Sequence, residues 1–415
     1  MYTVAKNCRI CGNTDLRPLV NLGEQCLTGR FPASPTQPLT RGPLELVKCH
    51  GPRSCGLVQL HHIYDPDEMY GQGYGYRSSL NRSMVDHLKQ IVAGLRKRVE
   101  PGDDDLVLDI GSNDGTLLSF YPENGPTLVG IDPSAEQFRK YYRKDIQLVV
   151  DFFSAEVFAR RFGGRKARIV TSIAMFYDLA EPLSFMRGVA GILADDGVWL
   201  FEQSYLPTML RVNAYDTICH EHLEYYCLQQ IDRMARLSGL RICDVTQDNV
   251  NGGSFAVTVC REDSSVPVNE SVVGAMLAQE KADGLDTLEP YQAFAKRVQD
   301  HRKKLTSLLR SLKKQHKTVL GYGASTKGNV VLQYCGITTD LLPAIAEVNS
   351  DKFGCFTPGT NIPIISEAEA RGRKPDYFLV FPWHFRDNIL KREAAWIDAG
   401  GKMILPFPEI EIFPS

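Results

Sequence analysis

Nowhere in the 415 residues do about 18 apolar side chains run together, so no stretch of the sequence reads as a bilayer-spanning helix. A surplus of positive charge is missing too: 47 Lys and Arg stand against 49 Asp and Glu, a net charge of −2. That balance supplies no field for holding a polyphosphate backbone, which disfavours nucleic acid as the main partner. There is no tandem repeat at a solenoid period and no low-complexity stretch. The opening "MYTVAKNCRICGN" lacks the apolar centre of a secretory signal, so no membrane partner and a cytoplasmic location are expected. In a reducing compartment the odd count of 11 cysteines reads as thiols or metal ligands rather than a disulfide framework.

What is present is an ordinary soluble composition, 43% hydrophobic and 23% charged, on a chain too long for one core. The texture divides it into residues 1–68, 69–265 and 266–415. The first part carries clustered cysteines, short strand-like runs such as "LELVKC" and "CGLVQL", and many turn residues. In the second, "SLNRSMVDHLKQIVAGLRKRV" has helical periodicity, and "LVLDIG", "TLVGID", "IQLVV", "ARIVTSI" and "GVWLFEQ" read as buried strands. Such alternation predicts an α/β fold with a parallel sheet covered on both faces. The third part opens with a long basic amphipathic helix, "YQAFAKRVQDHRKKLTSLLRSLKKQHK". A second, shorter α/β unit follows, holding "TVLGYGAST", "AIAEVNS", "YFLVFPW" and "GGKMILPFP".

Two sites are legible. Cys8 and Cys11 form a two-residue knuckle, and Cys49 and Cys55 form a second, longer-spaced pair. Four thiolates brought together suit tetrahedral zinc with no open position, hence a structural metal. The segment "LVLDIGSNDGTLL" predicts a strand, a tight turn and a helix start, with Gly111 and Gly115 allowing close approach. Asp109, Asn113 and Asp114 lie in or beside the turn. Asp132 ends the next strand, where it can accept the ribose hydroxyls of a nucleoside cofactor. An acid in the turn would repel a pyrophosphate and suit a cationic ligand. The motif resembles that of class I methyltransferases that bind S-adenosylmethionine. In such folds Ser172, Phe152 and Phe153 would border the cofactor.

Seven stretches then recur together in one family: "YGYRSSLN", "LDIGSNDGTLL", "SIAMFYDLAEP", "YDTICHEHLEYY", "VNGGSFAV", "GYGASTKGNV" and "FPWHFRDNI". In these the chain resembles the nucleotide-sugar C-methyltransferases that build branched deoxysugars. The resemblance implies a zinc-binding N-terminal domain, a central Rossmann-like methyltransferase domain and a C-terminal α/β domain that grips the sugar nucleotide. It implies an NDP-4-keto-6-deoxyhexose, dTDP- or GDP-linked, methylated at C-3 by a monomer or weak oligomer. His222 matches the family's base, Glu221 its acidic neighbour, and Tyr76 a tyrosine that reaches the sugar. Cys219 stands where some members carry Tyr, and Asp178 where some carry His. Lys327 with the "GYGASTKGN" turn would meet phosphates. Asn329, Glu347, Asn349, Trp383 and His384 would line the substrate side. The runner-up is a zinc-ribbon RNA methyltransferase, disfavoured by the charge balance and the missing N-P-P-Y motif.

Overall fold

In the computed structural model the described residues are 2–70, 77–248 and 252–414. The N-terminal part has strands β1 (Tyr2–Val4), β2 (Leu16–Cys26), β3 (Arg41–Cys49), β4 (Val58–Leu60) and β5 (His62–Tyr64), then a short helix α1 (Pro66–Tyr70). β2 and β3 make a long antiparallel hairpin, with β4 beside β3. One end of this hairpin carries Cys49, whose neighbours Cys8, Cys55 and Leu57 pack into the apolar core of the central sheet. The body of the hairpin, through Val20, Leu22, Leu44 and Leu46, shares a core with the C-terminal part. The small domain thus bridges the two larger ones.

Helix α2 (Arg82–Arg98) begins where the Asn81 side chain accepts from the Ser83 N–H, an N-cap that satisfies an orphan donor. Met84, Leu88, Ile91, Val92 and Leu95 form its buried face. There follow β6 (Leu106–Ile110), β7 (Thr127–Ile131), β8 (Gln147–Val149), α3 (Ala155–Phe162), β9 (Ala167–Ile173), α4 (Pro182–Ile192) and β10 (Leu193–Ser204). Next come α5 (Leu206–Arg211), β11 (Glu224–Tyr225), α6 (Leu228–Leu237), β12 (Leu240–Asp248) and β13 (Ser254–Arg261). The sheet order is β12-β13-β10-β9-β6-β7-β8. β6 to β10 run parallel, while β13 is antiparallel to both β10 and β12. From β6 the chain winds outward to β7 and β8, then returns to the other side for β9 and β10. The carboxyl ends of β6 and β9 therefore flank a topological switch point, where open α/β sheets leave a crevice. One expectation is corrected: the turn after β6 opens no α-helix. Only a 3₁₀ turn, Leu118–Phe120, forms before Pro122 interrupts the short connection to β7.

The remaining elements are α7 (Glu270–Ala282), α8 (Glu289–Lys314), β14 (Val319–Tyr322), α9 (Thr326–Cys335), β15 (Ile345–Glu347) and β16 (Ile364–Ser366). α10 (Glu367–Gly372), β17 (Tyr377–Val380), α11 (Arg386–Arg392), α12 (Ala394–Asp398), β18 (Lys402–Leu405) and β19 (Glu411–Phe413) complete the chain. The second sheet runs β16-β15-β14-β17-β18-β19, parallel except for β19. α7 packs on the central sheet: Glu280 accepts the Tyr205 hydroxyl at 2.8 Å and the Gln229 N–H at 3.0 Å. α8 buries Tyr291, Phe294, Val298, Leu305, Leu309 and Leu312, a three-and-four spacing that leaves its Lys and Arg residues outward. α9 starts at Ser325, whose hydroxyl caps the Gly328 N–H at 3.0 Å, and ends at left-handed Gly336. No helix among the described residues is long and apolar enough to cross a membrane.

Candidate active site

Beyond β6 the chain reverses through Gly111 (φ 76°) and Asn113 (φ 49°). A Cβ on Gly111 would stand 3.1 Å from Met175 Cγ, so a bare backbone keeps this wall thin. Asn113 donates its backbone N–H to Asp132 Oδ2 at 2.8 Å, and its side-chain oxygen accepts the Ser78 N–H at 3.0 Å. The Ser134 N–H and hydroxyl each donate to Asp132 Oδ1 at 2.7 Å. Three donors thus fix the Asp132 carboxylate at the end of β7, even as burial pulls its pKa upward. Across the crevice Ala174 also has positive φ, 53°. A non-glycine residue in that region is strained, as backbone beside ligand sites often is.

Between these walls lies a cleft of about 520 Å³ to which all three parts of the chain contribute. Gly111, Asn113 and Asp132 line one end, with Phe152 and Phe153 beside them. Asp178, Cys219, Glu221 and His222 line the other, and Lys327 closes it from the first turn of α9. The methyltransferase turn and the His-Glu-His segment therefore share one cavity. A nucleoside cofactor fits the first end, where an acceptor carboxylate follows a thin glycine wall.

Within the triplet, neighbouring residues divide. Glu221 and His222 face the cleft, whereas His220 turns into the protein against the Tyr64 ring, at 4.6 Å between centroids. Burial lowers the His220 pKa to about 3. His222 is also lowered to about 3, by burial and then by the positive charge of Lys327. Its Nδ1 lies 2.8 Å from the Thr217 carbonyl oxygen, and Tyr177 packs edge-on against its ring at 4.3 Å. Burial raises the pKa values of Glu221 and Cys219 and lowers that of Lys327, which Asp216 partly offsets.

Several expected residues do not reach the cleft. Asp109 is buried beneath it, accepting the Thr171 hydroxyl at 2.6 Å, and burial lifts its pKa to about 7. Asp114 points the other way, one oxygen accepting the Ser79 N–H at 3.1 Å and the other the Thr116 hydroxyl at 2.6 Å. Ser172 lies under Trp199, whose indole N–H donates to it at 3.1 Å; Ile173, next along the strand, faces the cleft instead. Asn329 donates to the Thr28 carbonyl at 2.7 Å. Glu347 accepts the backbone N–H groups of Ala324 at 2.7 Å and of Val348 and Asn349 at 2.8 Å. Asn349 caps a 3₁₀ turn at Asp351, and Trp383 donates to Asp216 Oδ2 at 2.8 Å. His384 lies against Trp383, and burial and then Lys327 lower its pKa well below the usual imidazole range. In the "GYGASTKGN" turn the Gly323, Ala324 and Gly328 N–H groups already have acceptors in the chain, while Thr326 and Lys327 line the cleft. Tyr76 lies outside the described residues.

The four N-terminal thiols converge. The sulfurs of Cys8, Cys11, Cys49 and Cys55 all lie within 4.8 Å of one another, with Cys8 and Cys55 at 3.3 Å and Cys11 and Cys49 at 3.5 Å. This all-sulfur donor set fits tetrahedral zinc and leaves no position for substrate. The Asn13 side-chain amide donates to Cys49 Sγ at 3.4 Å, the kind of outer contact that orients a thiolate ligand.

Nothing in the sequence marks Thr28 or Gly29, although Gly29 borders the cleft. "CLTGRF" carries no spacing signal, and its contacts are made with residues about 190 and about 300 positions away. Tyr177 lies within "SIAMFYDLAEP", where nothing local marks it as a cleft residue.

Three family models match the chain: "Putative zinc binding domain" over residues 8–70, "Methyltransferase domain" over 80–245 and "C-methyltransferase C-terminal domain" over 249–408. The C-methyltransferase NovU of Streptomyces niveus is 33% identical over 413 residues, covering 98% of this chain and 97% of that one. Among solved structures, the CcbJ methyltransferase of Streptomyces caelestis is 13% identical, with a TM-score of 0.33 over 43% of this chain and 89% of that chain. A methyltransferase of Clostridium acetobutylicum ATCC 824, dependent on S-adenosylmethionine, is 12% identical, with a TM-score of 0.33 over 43% and 92% of the two chains.

Proposed function

Since the chain belongs to the C-methyltransferase family and is an S-adenosylmethionine-dependent enzyme, we propose that it methylates C-3 of an NDP-4-keto-6-deoxyhexose through an enolate. One observation carries this reading: His222 shares a cleft with the cofactor turn, and its Nδ1 faces the Thr217 carbonyl. A carbonyl oxygen only accepts, so Nδ1 carries the proton and Nε2 keeps its lone pair. A neutral imidazole with a free ring nitrogen is a base, which carbon methylation beside a ketone requires.

In this reading His222 Nε2 takes the C-3 proton. Lys327 holds the oxygen at C-4 as its charge develops, since a fixed cation in a shielded cleft stabilises an enolate oxygen strongly. Glu221 accepts a sugar hydroxyl and fixes the ring against His222. Asp178 and Cys219 border the same end, and Asp132 accepts the ribose hydroxyls of the cofactor. Bound S-adenosylmethionine supplies an electrophilic methyl group. Cys8, Cys11, Cys49 and Cys55 hold zinc that supports the fold.

The test is proton exchange without methyl transfer. A dTDP-4-keto-6-deoxyhexose incubated in deuterium oxide with the enzyme and S-adenosylhomocysteine should gain deuterium at C-3, read by NMR. Methylation of the same sugar at another carbon, or at C-3 with no exchange above the enzyme-free rate, would remove the reading.

A further inference from the structure

Beyond the end of β2, residues 26–29 run from the hairpin onto α9. Gln333 accepts the Cys26 N–H at 2.7 Å and donates to the Cys26 carbonyl at 3.1 Å. Asn329 donates to the Thr28 carbonyl at 2.7 Å. Two side chains of one helix therefore hold this segment. The same helix carries Lys327 into the cleft.

Thr28 is fully buried, and its N–H and hydroxyl point at the His-Glu-His triplet. Its N–H lies 3.4 Å from His220 Nδ1 and its hydroxyl 3.3 Å from the same atom. The hydroxyl also lies 3.3 Å from Glu221 Oε2. A hydroxyl has one proton to give. The backbone N–H serves the neutral His220, and the hydroxyl proton goes to the carboxylate, where charge strengthens the bond. Gly29 then sets the position of the other carboxylate oxygen. A Cβ there would come within 2.3 Å of Glu221 Oε1, so the carboxylate occupies the space that a side chain would take.

We propose that Thr28 and Gly29 of the small N-terminal domain are positioning residues for the reaction, one by a hydrogen bond and one by lacking a side chain. Together they fix the Glu221 carboxylate beside His222. The inference rests on the reading of Glu221 as a substrate-holding group. It gives the hairpin a role in the chemistry: zinc organises one end, and the segment leaving the other end sets a side chain in the cleft.

Two substitutions reach the contact without touching Glu221 itself. Thr28→Val keeps the shape and removes the donor. Gly29→Ala pushes the carboxylate aside, and the Gly29 backbone is not in the left-handed region, so alanine adds no backbone strain. Initial rates with S-adenosylmethionine and a dTDP-4-keto-6-deoxyhexose are to be measured for these variants, Thr28→Ser, Glu221→Gln and the Glu221→Gln/Thr28→Val double variant, with thermal melts alongside. Thr28→Val should lower kcat about tenfold, the usual scale for one hydrogen bond to a charged group, with KM for the methyl donor unchanged. Thr28→Ser should restore most of it, and Gly29→Ala should lose at least as much as Thr28→Val. In the double variant the loss should approach that of Glu221→Gln alone, because the charge that strengthens the Thr28 bond is already gone. Additive losses, or an impaired Glu221→Gln beside unimpaired Thr28→Val and Gly29→Ala, overturn the inference alone. A Glu221→Gln enzyme with wild-type turnover overturns the reading of Glu221 and the inference with it. If Thr28→Val melts early, Thr28→Ser and Gly29→Ala decide: wild-type turnover in Gly29→Ala overturns the inference.

Discussion

His222 donates its Nδ1–H to the Thr217 carbonyl oxygen at 2.8 Å. That contact fixes the tautomer and leaves Nε2 its lone pair, as the proposed base needs, while Tyr177 packs edge-on against the ring. His222→Asn keeps a donor for Thr217 and removes the base. Turnover should fall about 10²- to 10⁴-fold, the scale of a lost general base, while calorimetry shows cofactor binding unchanged. Deuterium exchange at C-3 of the sugar should disappear together with methylation. Exchange surviving in this variant would move the base to another side chain of the cleft.

Lys327, from the C-terminal part, acts on the His222 imidazole. The His222 pKa of about 3 is set by burial first and by the Lys327 charge second. Only the neutral imidazole can take a proton, so the acid limb of the wild-type enzyme should lie well below neutral pH. Lys327→Met removes a cation, which lets His222 hold a proton more easily, so the limb should move up in pH. If Lys327 holds the enolate oxygen as proposed, its loss should also lower kcat by about 10²- to 10³-fold at neutral pH. The profile of kcat/KM against pH measures both. A limb that stays in place would show that the two charges are not coupled.

Local spacing is legible in a sequence, and contacts between distant positions are not. Cys8 and Cys11 sit on one knuckle, and Gly111 and Asp132 belong to one strand-turn-strand unit, so spacing alone marked them. The period of a strand says that Ser172 and Ile173 face opposite ways without saying which faces the cleft, and Ile173 does. Asn329, expected on the substrate side, donates instead to the Thr28 carbonyl, 301 positions earlier. Asp114 matched the motif, but its oxygens are taken by Ser79 and Thr116. Motif matching located the turn without showing which of its acids points inward.

Asp132 should set cofactor affinity. Its carboxylate receives the Asn113 N–H at 2.8 Å and the two donors of Ser134, so it is held in place before any ligand arrives. Asp132→Asn keeps the size and one acceptor while removing the charge. Binding of S-adenosylhomocysteine should weaken by roughly 1–3 kcal/mol through lost charge-assisted hydrogen bonds, measured by calorimetry. Asp114→Asn, facing away from the cleft, should weaken it less. The reverse order would assign the cofactor to the other carboxylate.

Zinc should be worth more than the stability of one small domain. Cys8, Cys49 and Cys55 lie in the same apolar cluster as Phe176, Trp199 and Tyr226 of the central part. Gln230, on α6, donates to the Cys55 carbonyl at 2.8 Å, tying the second cysteine pair to that part directly. A structural zinc site contributes about 10–16 kcal/mol of apparent binding free energy, which without metal is lost from folding. Because knuckle and sheet share a core, that loss should spread into the central domain. Purified protein should carry one zinc per chain, and a chelator should lower the melting temperature and weaken S-adenosylhomocysteine binding together. Cys49→Ser should reproduce both effects. A chelated protein that keeps full cofactor affinity, with only a small separate melting step lost, would show instead that the knuckle folds independently of the sheet it touches.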